Sequence, residues 1–159
     1  MSIGSTTGYS VSGIIVEVGE GVNNFEIGDR VAAASGNANH AEFVNVPINL
    51  VCKIPGELDF PEASTVALGA ISMQGVRRAD LNMSEFCVVF GTGILGLITI
   101  QILKNAGIRV AAVDIDKNRL LLAESLGAEL TISGDYNSVN SVLNWTGGYG
   151  DDAVIFTAA

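Results

Sequence analysis

The chain has 159 residues, 48% of them hydrophobic, and a net charge of −9. That length allows one substantial core or two small ones. The acidity argues against general electrostatic binding to nucleic acid or an anionic membrane, and no apolar run reaches the roughly 18 residues that a membrane span needs.

Residues Met1 to Thr7 carry neither a charged n-region nor an apolar h-region, so no secretory signal and a cytoplasmic setting are expected. Residues 9–55 read as β structure. Val11 to Val18 predicts a strand, followed by a turn at Gly19-Glu20-Gly21. Gly28-Asp29 predicts a second turn ahead of a strand over Arg30 to Ala34. Glu42 to Val46 alternates at period two and predicts a strand that Pro47 stops. Leu50 to Ile54 predicts another, ended by Pro55.

Helical signals begin at Pro61, with Asp59 as the cap and Pro61-Glu62 suited to a first turn. Thr65 to Ala79 predicts a helix with Arg77 and Arg78 near its end, where positive charge is favoured. From Phe86 the pattern alternates. Strands are predicted over Cys87 to Phe90, Val110 to Asp114, Leu130 to Ile132 and Ala153 to Phe156. Helices are predicted over Ile94 to Asn105, Lys117 to Leu126 and near Tyr136 to Trp145. Gly107 and Gly127 are the stops of the first two; Asp116 and Asp135 are the caps of the last two. Three βα units and a fourth strand imply a parallel sheet covered on both faces. Cys52 and Cys87 lie in apolar stretches and read as small buried hydrophobes in a reducing compartment, with no zinc spacing between them.

The most specific feature spans the first of these βα units and the strand that follows it. Gly91-Thr92-Gly93-Ile94-Leu95-Gly96 follows a strand and opens a helix, and Asp114 closes the next strand at the spacing of a dinucleotide fingerprint. Gly91 would turn the chain, Gly93 would let the backbone approach a pyrophosphate, and Gly96 would let helix and strand pack closely. The helix dipole and free N–H groups would meet the phosphate charge. Asp114 would bind the ribose hydroxyls and repel a 2′-phosphate, favouring NAD over NADP. In a chain with 19 glycines, an ordinary tight turn is the competing reading. A methyltransferase fold is another, although Val88-Val89-Phe90 lacks the acidic first strand usual there.

Several of these stretches together resemble the medium-chain dehydrogenase/reductase superfamily. Gly13 to Val22, with Phe25 and Gly28-Asp29-Arg30-Val31, is similar to its GroES-like domain. Asn39 to Val44 with Val46-Pro47, Leu68 to Ser72, Asp114 to Leu120 and Ala123 to Ala128 continue the likeness. The resemblance implies a partial Rossmann parallel sheet of about four strands and three helices, preceded by part of a GroES-like β domain. Expected boundaries are residues 1–58 for the β domain, 59–83 for connecting helices and 84–159 for the half of the cofactor domain. Cofactor-binding residues would be Gly91, Thr92, Gly93, Ile94, Leu95, Gly96, Asp114 and Arg119. Arg119, five residues after the acid, would lie near the adenosine or pair with Asp116 on the helix surface.

Zinc members of the superfamily carry Gly-His-Glu where Gly8-Tyr9-Ser10 stands here, a cysteine near Leu68 or Gly69, and a four-cysteine loop where Ser35-Gly36-Asn37-Ala38 stands. Zinc is therefore not expected from these residues. The resemblance further implies that the chain is a fragment of an NAD-dependent, alcohol dehydrogenase-like oxidoreductase acting on a small molecule, with strands missing at both ends and little activity by itself. A non-catalytic NAD-binding or redox-sensing module and an inert fragment are the alternatives. Tyr9, Ser72 and His40 are the candidate proton-handling groups, each with a packing or loop role as the competing reading. The last strand, Val154-Ile155-Phe156, would leave an apolar edge open to self-association.

Overall fold

The computed structural model describes residues 7–134 and 138–158. Strand β4 (Phe86–Phe90) is apolar throughout and lies inside a four-stranded parallel sheet. Its neighbours are β5 (Arg109–Asp114) and β7 (Ala153–Phe156), and β6 (Leu130–Ser133) pairs outside β5, giving the order β6-β5-β4-β7.

Period-two alternation sends these side chains into two separate cores. On one face Cys87, Val89, Val110 and Ala112 pack with Ile100 and Leu103 of α3 (Ile94–Asn105) and Leu120 and Ala123 of α4 (Lys117–Leu126). On the other, Val88, Ala111 and Val113 pack with Ile132 and with Val142 and Trp145 of α5 (Ser138–Trp145). A strand buried on both sides has no polar face, which is why these runs read as continuously apolar.

The switch of faces has a consequence for function. The chain leaves β4 toward α3 and enters β7 from α5, on opposite sides of the sheet. The adjacent C-terminal ends of β4 and β7 therefore flank a crevice of the kind where open α/β sheets bind ligands.

Local signals place the helix ends. The Asp116 carboxylate caps α4 by accepting from Asn118 N at 2.9 Å and Arg119 N at 3.4 Å, and Gly127 ends the helix at φ 119°. Asp59 caps the short α1 (Phe60–Ala63) by accepting from Glu62 N at 2.8 Å. Helix α2 (Val66–Ala79) carries Arg77 and Arg78 in its last turn. The predicted cap Asp135 and the first residues of the predicted helix from Tyr136 fall outside the described residues.

The chain divides into two compact units, one ending at Leu68 and the other beginning at Gly69. The first holds an antiparallel sheet of β1 (Ser10–Ile14), β2 (Arg30–Ala34) and β3 (Val51–Lys53), in that order. Its small core joins Ala32, Ile54 and Ala63 with Leu58 and Phe60. The Arg30 guanidinium stacks 4.7 Å from the Phe60 ring centroid and donates to the carbonyls of Gly56 at 2.9 Å and Leu58 at 2.6 Å. The Lys53 ammonium meets Asp29 at 2.7 Å. This contact, with the Glu26 N–H, holds the Asp29 carboxyl below its ordinary value.

Three expectations fail here. The strand expected over Val11 to Val18 ends at Ile14, because its partner β2 begins only at Arg30. The strand expected over Glu42 to Val46 does not form, and Phe43 is 69% exposed. Alternation describes how a strand would display its side chains but supplies no partner ladder, and none of the described residues pairs with this stretch. Cys52, expected to be buried, is exposed, because β3 is a three-residue edge strand covered by little else.

Candidate dinucleotide site

The glycine turn begins where β4 ends. Gly91 sits at φ 98°, a left-handed conformation that side chains resist, and its N–H donates to Val113 O of β5 at 2.8 Å. Gly96 is on the first turn of α3, packed so closely that an added Cβ would collide with Gly91 O and lie 2.8 Å from Thr157 Oγ1. Gly93 differs: beyond its chain neighbours, a Cβ there would meet no atom within 4 Å. Open space thus lies beside the N-cap of α3.

That helix end is electrostatically unsatisfied. Gly93 is its N-cap and offers no side-chain cap, and the first turn holds no acidic residue. The first N–H groups and the positive end of the helix dipole face open space beside a residue without a side chain. This arrangement fits a pyrophosphate. Ile94 is exposed at this edge, whereas Leu95 is half-buried and its carbonyl accepts from Ser72 Oγ at 3.2 Å and Thr99 Oγ1 at 2.8 Å.

The acid is joined to the turn directly. Asp114 Oδ2 accepts from Thr92 N at 2.6 Å and from Thr92 Oγ1 at 2.8 Å, while Oδ1 accepts from Asp116 N at 2.9 Å. Partial burial pushes the Asp114 carboxyl up. The N–H groups of Asp116, Thr92 and Ile115 and the Thr92 hydroxyl outweigh it, so the group sits below its ordinary value and is a carboxylate at neutral pH. Six of the predicted residues, Gly91 to Gly96, form this turn and helix start, and Asp114 is bonded to it. Arg119 stands apart. Its guanidinium is exposed and lies 3.7 Å from Asp116 Oδ2, so it pairs with the cap of its own helix.

Thr157 is a residue of this site that the sequence pattern does not single out. It follows β7, and its hydroxyl donates to Gly91 O at 2.7 Å while its N–H donates to Phe90 O at 2.9 Å. It braces the turn from the β7 side as Asp114 does from the β5 side. Nothing local marks it, because it is 66 positions from Gly91.

The remaining candidates have modest surroundings. Ser72 is buried and used in helix packing through its bond to Leu95 O. Tyr9 is 45% exposed. His40 is exposed, stacks its ring against Gly8, and forms no ion pair with Glu42. Among the described residues no three His, Cys, Asp or Glu side chains gather to hold a metal ion. Cys87 lies in the sheet core, where burial, then the charge of Asp151, pushes its thiol up to about 12. Among the described residues no helix is long and apolar enough to cross a membrane.

A parallel sheet in the order β6-β5-β4-β7, with a glycine turn opening α3 and an acid ending β5, defines a Rossmann-type domain preceded by a small antiparallel β unit. Comparison with known families agrees on both units. Residues 1–72 match the alcohol dehydrogenase GroES-like domain, and residues 95–159 match the family described as zinc-binding dehydrogenase. The chain belongs to the medium-chain dehydrogenase/reductase superfamily. Among its relatives, (R,R)-butanediol dehydrogenase of Bacillus subtilis is 34% identical across 77% of this chain and 43% of its own length. An alcohol dehydrogenase of Geobacillus stearothermophilus is 30% identical across 80% and 46%. A mycobacterial protein solved in complex with NADPH superposes with a TM-score of 0.85 at 29% identity, over 92% of this chain and 48% of that one. The chain thus spans about half the length of the relatives it matches.

Proposed function

We propose that this chain supplies the dinucleotide-holding turn of an NAD-dependent oxidoreductase that passes hydride between the nicotinamide and an alcohol, carbonyl or activated alkene. One observation carries the reading: the Asp114 carboxylate is hydrogen-bonded to Thr92 of the glycine turn at 2.6 and 2.8 Å. The element suited to a pyrophosphate and the element suited to a ribose are therefore adjacent, within the span of one nucleotide. When bound, the cofactor would supply the hydride chemistry. The chain's own residues would hold the diphosphate at the amino end of α3 and accept a ribose hydroxyl at Asp114. The butanediol and alcohol dehydrogenases among the relatives support an alcohol or carbonyl substrate.

Cofactor choice follows from charge. A 2′-phosphate beside Asp114 would face a carboxylate held ionised, so NAD is favoured. The mycobacterial neighbour was solved with NADPH, so the preference proposed here rests on this chain's own acid. A resident zinc does not fit the donor set: Cys87 is in the sheet core, and His40 and Cys52 are not part of any acidic or sulfur cluster among the described residues. Partners other than substrate would come through β7, whose outer edge is open among the described residues and whose Phe156 is 70% exposed.

Calorimetric titration with NAD and NADP tests the reading. Gly93→Val fills the open space and should reduce NAD affinity at least about 10-fold, since a side chain there meets the diphosphate rather than protein. Asp114→Ala should weaken NAD by about 3- to 10-fold while leaving NADP equal or tighter. Equal losses for both cofactors would remove Asp114 from the ribose; unchanged NAD affinity in Gly93→Val would remove the turn from the phosphate.

A further inference from the structure

We propose that Thr92 is a positioning residue whose hydroxyl fixes the Asp114 carboxylate and thereby sets the discrimination between a free 2′-hydroxyl and a 2′-phosphate on the bound nucleotide. The inference deepens the NAD reading and rests on it.

Thr92 occupies the variable place between the first two glycines of the turn. The turn itself needs nothing of that side chain, because the pyrophosphate would meet backbone N–H groups. Yet Thr92 is completely buried, at 0% exposure, and its hydroxyl is turned to the acid. Oγ1 donates to Asp114 Oδ2 at 2.8 Å, beside the Thr92 N–H on the same oxygen at 2.6 Å. Being buried, this hydroxyl has no access to a ligand and acts through the acid.

The bonds have a countable effect. A carboxylate offers about four acceptor positions. Thr92 fills two on Oδ2 and Asp116 N fills one on Oδ1. The Ile115 N–H also lies against the carboxylate, so the acid would offer a ribose hydroxyl at most one shared bond instead of a pair. More important is what the carboxylate is prevented from doing. To admit a 2′-phosphate it must either turn aside or take up a proton. Turning breaks two donors on Oδ2, one of them in a dry environment. Protonation is opposed by the same donors, which favour the ionised form. A residue without the hydroxyl would leave one N–H on Oδ2 and weaken both restraints.

The test is Thr92→Val, which keeps the branched shape and removes only the hydroxyl, with Thr92→Ser as the variant that restores it. In the full chain the ratio of NADP to NAD dissociation constants should fall by about 3- to 10-fold in Thr92→Val, mainly through tighter NADP, and return toward the parent value in Thr92→Ser. NADP binding should also begin to improve at a higher pH in Thr92→Val than in the parent, as the acid protonates earlier. A purely structural threonine would lower the melting temperature and move neither quantity. The titration of the Asp114 carboxyl, followed by carbon-detected NMR without cofactor, gives an independent reading: it should shift upward in Thr92→Val. An unshifted Asp114 titration overturns the inference whether or not any nucleotide binds. An unchanged cofactor ratio in Thr92→Val, with Asp114→Ala altering that ratio, also overturns it while sparing the NAD reading. If Asp114→Ala leaves the ratio unchanged as well, the NAD reading fails and this inference fails with it.

Discussion

At the scale of single residues, Asp114 ties its ionisation to the stability of the fold. Its carboxyl is depressed on folding, against the opposing push of burial. A group of this kind stabilises the folded state above its unfolded pKa, here the ordinary 3.8, and the contribution is lost as pH falls through the lower folded value. Asp114→Asn should therefore melt below the parent chain at about pH 7, and the gap should close below about pH 4. Thermal melts across that window check it; a gap that stays constant with pH would mean that the bonds to Thr92 and Asp116 do not depend on charge. Asp29, also depressed, is common to both proteins and cancels in the comparison. Cys87 illustrates the opposite sign: burial, with the charge of Asp151, lifts its thiol to about 12, so it packs as a hydrophobe and is not a nucleophile.

At the scale of elements, the approach of α3 to the turn is the critical dimension. Gly96 touches Gly91 O and Thr157 Oγ1 where a Cβ would stand. Gly96→Ala should thus push the helix off the strand, costing about 1–3 kcal/mol of stability and weakening NAD binding together. Denaturant midpoints and calorimetry measure the two effects, and an alanine that costs nothing would show that the helix can shift freely. The bounds of α3 and α4 were legible because their signals are local: Asp116 caps and Gly127 stops within a few residues of what they govern. The stretch from Glu42 to Val46 was not, because a strand exists only through its neighbour. The Thr92–Asp114 bond, 22 positions apart, and the Thr157–Gly91 bond, 66 apart, carry no local signature either. The motif names the glycines and the acid but not the hydroxyls that brace them.

At the scale of the molecule, the parallel sheet leaves β7 at its margin among the described residues. Val154 and Phe156 are exposed there, and Phe156 packs 5.2 Å from Phe90 between ring centroids. An unpaired ladder flanked by apolar side chains is a template for a second strand. Sedimentation velocity of this 159-residue chain should show concentration-dependent association, reduced in Phe156→Lys, which adds charge at the edge without removing a backbone group. A chain that sediments as a monomer throughout would remove β7 as an interface.

What the amino-acid order determined by itself was the parallel alternation of strands and helices, the ends of α3 and α4, and the glycine turn with its acid, because each arises from contacts among near neighbours and from the period of burial. What only the tertiary structure decided was which strands find partners, that Cys52 faces solvent, and that Asp114, bonded to Thr92, and Thr157 grip the turn from either side. Those depend on chain segments distant in sequence meeting in space, where hydrogen-bond geometry and packing select one arrangement among many that the local pattern permits.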